Sequence, residues 1–112
     1  MSLKIVFMGT PKFSVTTLDL LIKNQLNIVR VYTQTPKKSK RGQKINASAI
    51  EEYCKKNNIS CANPENLNSE KELSSFKKLL PDLVVVVAYG KIIPKNFLEI
   101  VKFGFINIHA SL

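Results

Sequence analysis

The chain has 112 residues, 45% hydrophobic and 22% charged, with a net charge of +9. That size fits one domain or part of one, and the composition excludes a disordered chain. No apolar run nears the ~20 residues of a membrane helix, and Gly9, Pro11 and Lys12 close the opening apolar run in a way that fits a signal peptide poorly, so a cytoplasmic protein is expected.

"LKIVFM", Leu3 to Met8, is an apolar run closed by Gly9 and predicts a first, buried strand. Thr10 is expected to cap the following helix, with Pro11 at its first position and an end near Asn24. Val15, Leu18, Leu21 and Ile22 give that helix its apolar face. "NIVRVYT", Asn27 to Thr33, predicts the second strand. "SAIE", Ser48 to Glu51, is a capping box, and Ile50, Tyr53 and Cys54 face inward behind it. "ISCA", Ile59 to Ala62, predicts a short third strand. "SEKE", Ser69 to Glu72, is a second capping box, followed by a stripe of Leu73, Phe76 and Leu80 that Pro81 and Asp82 end. "LVVVVAYG", Leu83 to Gly90, has the unbroken apolar character of a strand buried on both faces. A short helix from Pro94 and a fifth strand from Gly104 complete the order.

Strands alternating with helices predict an α/β protein: a Rossmann-like parallel sheet of about five strands with helices on both faces. If strands one and four are neighbours, Gly9–Thr10, the Tyr89–Gly90 turn and Asn107–His109 line one crevice at the switch point. A dinucleotide fits badly there. "GTPKFS" has one glycine where that fingerprint has three, and Thr33 and Gln34 stand where an acidic residue would hold a ribose.

Charge and cysteines add two further constraints. Between Asp19 and Glu51 there is no acidic residue, and "PKKSKRGQK", Pro36 to Lys44, carries Lys37, Lys38, Lys40, Arg41 and Lys44. Such a segment suits a phosphate-rich partner as well as it suits a solvated loop. Cys54 and Cys61 match no zinc spacing, and a single histidine completes no metal site, so they read as reduced packing thiols and no metal is expected. That histidine, His109, lies two residues after Asn107, which on a strand puts both side chains on one face. An amide N–H₂ and an imidazole aimed at one spot can stabilise an oxyanion and move a proton. A packed structural histidine is the competing reading of the same residue.

"FMGTPKFSVTTL", "VVVVAYGKIIP" and "GFINIHASL" resemble, in order and spacing, the methionyl-tRNA formyltransferase family, whose pattern runs F-x-G-T-P-x-F, V-V-A-Y-G-x-I-x-P and N-x-H-x-S-L-L-P. The resemblance covers essentially all of the chain. It implies that residues 1–112 are the N-terminal portion of a formyltransferase domain, incomplete at its C-terminal side. It implies formyl transfer from 10-formyltetrahydrofolate to the amine of initiator methionyl-tRNA. Asn107 would bind the formyl oxygen, and His109 would stabilise it and assist proton transfer. Ala88, Tyr89 and Gly90 would wall the folate pocket, and Ser111 and Leu112 would begin a folate loop. Lys37, Lys38, Lys40, Arg41 and Lys44 would grip the acceptor end of the tRNA.

Departures from the family pattern are Ser14 for alanine and, around the basic segment, Ser39, Ala47 and Ala49 where alanine or proline is usual. The family's catalytic aspartate and its C-terminal tRNA-binding domain would lie beyond Leu112. The 112 residues alone are therefore expected to be inactive, and the fifth strand to be left with an open edge bearing Phe105, Ile106 and Ile108, prone to self-association. Two alternatives stay open: a folate-dependent formyl transferase or hydrolase acting on a small substrate, and a non-enzymatic RNA-binding remnant.

Overall fold

A computed structural model describes residues 2–34 and 47–109. Within them, β1 (Lys4–Gly9), α1 (Lys12–Lys23), β2 (Asn27–Tyr32), α2 (Ala49–Lys56), β3 (Cys61–Ala62), α3 (Glu70–Lys78), β4 (Leu83–Val87), α4 (Lys95–Leu98) and β5 (Phe105–Asn107) follow in order. All strand pairs are parallel, and the sheet order is β3-β2-β1-β4-β5. β1 and β4 are thus adjacent at the centre, which meets the condition on which the crevice depended, with Ile5 opposite Leu83 and Gly9 opposite Val87.

Alternation along the central strands sends side chains to two cores. Val6, Met8, Val84 and Val86 pack on one face with Phe76 of α3 and with Phe97 and Val101 in and just after α4. Ile5, Phe7, Val85 and Val87 pack on the other with Leu18 of α1 and Ile50 and Cys54 of α2. Helices therefore cover both faces, as expected. Gly9 lets β1 and β4 close up: a Cβ there would come within 2.8 Å of the Val87 carbonyl oxygen and 2.9 Å of Phe7 Cε1.

Local signals and structure part company in a few places. The N-cap of α1 is Pro11, with no side-chain cap bond. Thr10 does not cap the helix, because its hydroxyl is engaged with the turn after β4. The Ser48 capping box is complete in both directions, and Ser69 Oγ accepts from the Glu72 N–H at 3.2 Å. Leu80 does not join the apolar stripe of α3. It follows the C-cap Leu79, takes φ +51° and is 67% exposed, while Leu79 packs against the core in its place. The third strand shrinks to two residues, Cys61 and Ala62, which pair with Val31 and Tyr32. The fifth spans Phe105–Asn107. It lies at the sheet edge with Ile106 and Ile108 exposed.

Candidate active site

The C-terminal ends of β1, β2 and β4 converge. After β4 the chain turns sharply, with Ala88 at φ +52° and Gly90 at φ +90°. The Tyr89 carbonyl at the centre of this turn accepts two hydrogen bonds, from Thr10 Oγ1 at 2.9 Å and from Gln34 Nε2 at 2.8 Å. Gln34 also donates its backbone N–H to Thr10 Oγ1 at 3.2 Å. On the far side of the turn, Lys91 Nζ donates to the carbonyls of Pro64 and Glu65 at 2.6 and 2.9 Å.

β5 brings the second half of the site. Its register sets Asn107 beside Val86, and the Ile108 N–H donates to the Val86 carbonyl at 2.8 Å. Extended pairing therefore continues just past the strand end, and His109 follows directly. A cleft of about 410 Å³ results, lined by Ala88, Tyr89 and Gly90 on one side and by Asn107, Ile108 and His109 on the other. Asn107 and His109 are both exposed, so neither is a packed interior residue. The volume falls within the several hundred Å³ usual for a small-molecule site, and the lining mixes apolar groups with a few polar ones.

Of the residues singled out by sequence, Ala88, Tyr89, Gly90, Asn107 and His109 are brought together. Ser111 and Leu112, and the basic residues Lys37, Lys38, Lys40, Arg41 and Lys44, lie outside the described residues. Asp82 sits at the opposite end of the sheet, where its Oδ2 accepts from the Lys4 N–H at 2.8 Å. Gly9 and Thr10, expected to line the crevice, do not line this cleft; the Thr10 hydroxyl is turned to the Tyr89 carbonyl instead, and Gln34, noted by sequence only as standing where an acid would hold a ribose, joins it there. The available signal was that each polar residue lies within two positions of the C-terminal end of a strand. Among the described residues, no group of three or more His, Cys, Asp or Glu is placed to hold a metal ion, and no helix is long and apolar enough to cross a membrane.

The profile of the Formyl transferase family matches residues 3–112. The chain belongs to the formyl transferase family. Methionyl-tRNA formyltransferase of Pelagibacter ubique (strain HTCC1062) is 55% identical over 113 residues, covering 100% of this chain and 36% of that protein. The enzyme of the same name from Alkaliphilus oremlandii (strain OhILAs) is 46% identical, covering 98% of this chain and 36% of its own length. The chain thus spans about a third of the length of these curated relatives. In fold, the family member resembles glycinamide ribonucleotide transformylase 1 from Geobacillus kaustophilus, with a TM-score of 0.70 at 14% identity over 100% of this chain and 60% of that one.

Proposed function

We propose that residues 1–112 form the N-terminal portion of a methionyl-tRNA formyltransferase domain and carry the formyl-binding half of its active site. The observation that carries this reading is the cleft between the Ala88–Gly90 turn and the Asn107–His109 strand end, where an amide and an imidazole share one wall. 10-Formyltetrahydrofolate supplies the formyl group, and the amine of methionyl-tRNA receives it. The apolar and backbone lining of the Ala88–Gly90 turn suits a flat heterocycle, and by resemblance Ser111 and Leu112 begin the family's folate loop. As the amine attacks the formyl carbon, negative charge collects on the formyl oxygen. Asn107 Nδ2 donates to that oxygen, and a donor at such a position is used most where charge develops. The His109 imidazole adds a second donor or accepts the proton released by the amine; the bond between the formyl carbon and N10 of the donor then breaks, and N10 takes up a proton as tetrahydrofolate leaves. Lys37, Lys38, Lys40, Arg41 and Lys44 hold the phosphates of the tRNA acceptor end. The protein works in the cytoplasm, where charged initiator tRNA is made.

The test is formyl transfer by the full-length protein of which residues 1–112 are the proposed N-terminal portion, with 10-formyltetrahydrofolate as donor and methionyl-tRNA as acceptor. Asn107→Ala and His109→Ala should each lower kcat by roughly 10²–10³-fold, the usual loss for one oxyanion donor. Both residues are exposed, so thermal unfolding should stay within about 0.5 kcal/mol of the unsubstituted protein. Full activity in both variants would overturn the assignment. Equal use of a small amine acceptor would instead favour a small-substrate transferase.

A further inference from the structure

Three strand ends are tied to one carbonyl. Thr10 follows β1, Gln34 follows β2, and Tyr89 follows β4, yet Thr10 and Gln34 both donate to the Tyr89 oxygen, and Gln34 donates its N–H to the Thr10 hydroxyl as well. The pattern is self-consistent. The single hydroxyl proton of Thr10 goes to Tyr89, which leaves its lone pairs to accept from Gln34.

The turn held in this way is unfavourable by itself. Ala88 takes a left-handed φ of +52°, a conformation that residues with a Cβ adopt sparingly and keep only where the surroundings over-determine it. Gly90, at φ +90°, leaves room for the glutamine: a Cβ there would overlap Gln34 Nε2. Neither Thr10 nor Gln34 lines the cleft, whereas Ala88, Tyr89 and Gly90 all do. Gln34 also stands two positions before Pro36, where the basic segment begins.

We propose that Thr10 and Gln34 are positioning residues for the formyl donor, acting through the Tyr89 carbonyl to hold the Ala88–Gly90 wall opposite Asn107 and His109. The proposal rests on the reading of the cleft as a folate site. The two residues do not touch the donor. They set the shape that receives it, and losing either bond releases a strained turn toward a wider, poorer pocket.

The experiment uses three variants of the intact protein. Thr10→Val keeps the shape and removes the hydroxyl, Thr10→Ser restores it, and Gln34→Leu keeps the bulk and removes the amide. KM for 10-formyltetrahydrofolate should rise roughly fivefold in Thr10→Val and Gln34→Leu, the equivalent of one net hydrogen bond. Thr10→Ser should return close to the unsubstituted value, and KM for methionyl-tRNA should stay unchanged. Backbone amide exchange at Gly90 and Lys91 should speed up in the two damaging variants. Unchanged donor KM, no rescue by serine, or parallel changes in both KM values that track lost thermal stability would each overturn the proposal. Failure of the underlying folate reading looks different: the unsubstituted protein itself would neither bind nor use 10-formyltetrahydrofolate.

Discussion

The hydroxyls of Thr33 and Ser48 lie 3.0 Å apart and are both buried, although 15 positions separate them in the chain. They join the end of β2 to the N-cap of α2, and so bring together the two ends of the stretch that holds the basic residues. Ser48 does double work here, since its Oγ also accepts from the Glu51 N–H at 3.0 Å. Ser48→Ala should therefore remove a cap and strand a buried hydroxyl, and should cost about 1–2 kcal/mol in chemical denaturation. A change of a few tenths would show that the pair is not holding the base of the segment.

Charge on that segment should matter for one substrate only. Neutralising Lys37, Lys38, Lys40 and Arg41 together removes four positive charges from the chain. KM for methionyl-tRNA should rise steeply, and the slope of log binding constant against log salt should fall by roughly three. KM for the formyl donor should not move. A KM for tRNA that survives these substitutions would assign the tRNA contact elsewhere.

Gly9 sits where the two central strands are closest. Gly9→Ala would press a methyl group to 2.8 Å from the Val87 carbonyl oxygen, which is backbone and cannot swing aside. A loss of about 1–3 kcal/mol is expected, as for other overpacked interiors. Denaturant titration of the purified variant measures it, and an unaltered midpoint would mean the strands part without penalty.

The two cysteines are predicted to react unequally. Interaction between the two thiols, helped by burial of Cys54, raises the Cys54 thiol, and the same interaction lowers the Cys61 thiol. Cys54 is buried and Cys61 exposed. Iodoacetamide at about pH 8 should modify Cys61 first and leave Cys54 untouched until the protein unfolds, because the thiolate is the reactive form. Peptide mass mapping over time tests this, and equal labelling rates would contradict it.

All three tyrosines should ionise late. Burial pushes Tyr89 up to about 12, with Tyr32 and Glu72 adding to it. Burial also pushes Tyr53 up to about 12, helped by its hydrogen bond to the Asp19 carboxylate. Burial raises Tyr32 against the opposing pull of Arg30. A phenol whose folded value lies above its unfolded value of 10 contributes fully to stability below pH 10, and that contribution is lost as pH rises toward 12. Absorbance at about 295 nm should show tyrosinate forming well above the ordinary midpoint near 10. A native protein that titrates at that ordinary midpoint would refute the burial described here.

Features whose cause lies within a few residues are legible in the amino-acid sequence. The valines of β4 form an unbroken apolar run because both faces are covered. The Ser48 capping box shows because hydroxyl and carboxylate act across one helical turn. Asn107 and His109 could be paired by their spacing, and Ala88–Gly90 by the strand that ends before it. Where the outcome depended on competition, local signals fell short. Leu80 fits the stripe of α3, but the chain reverses just before Pro81, and Leu79 takes the packed position. Thr10 carries a good capping hydroxyl, but the Tyr89 carbonyl claims it.

The sequence by itself determined the succession of strands and helices, the residue types of the site and the resemblance that names its chemistry. These are matters of period, capping and side-chain identity, and each leaves a local trace. Only the tertiary structure decided that β1 lies between β2 and β4, and so that Thr10 and Gln34, 79 and 55 positions from Tyr89, share its carbonyl. A threonine and a glutamine look like ordinary loop residues until the sheet brings a distant backbone acceptor to them, because the partner of a long-range hydrogen bond leaves no pattern near its donor.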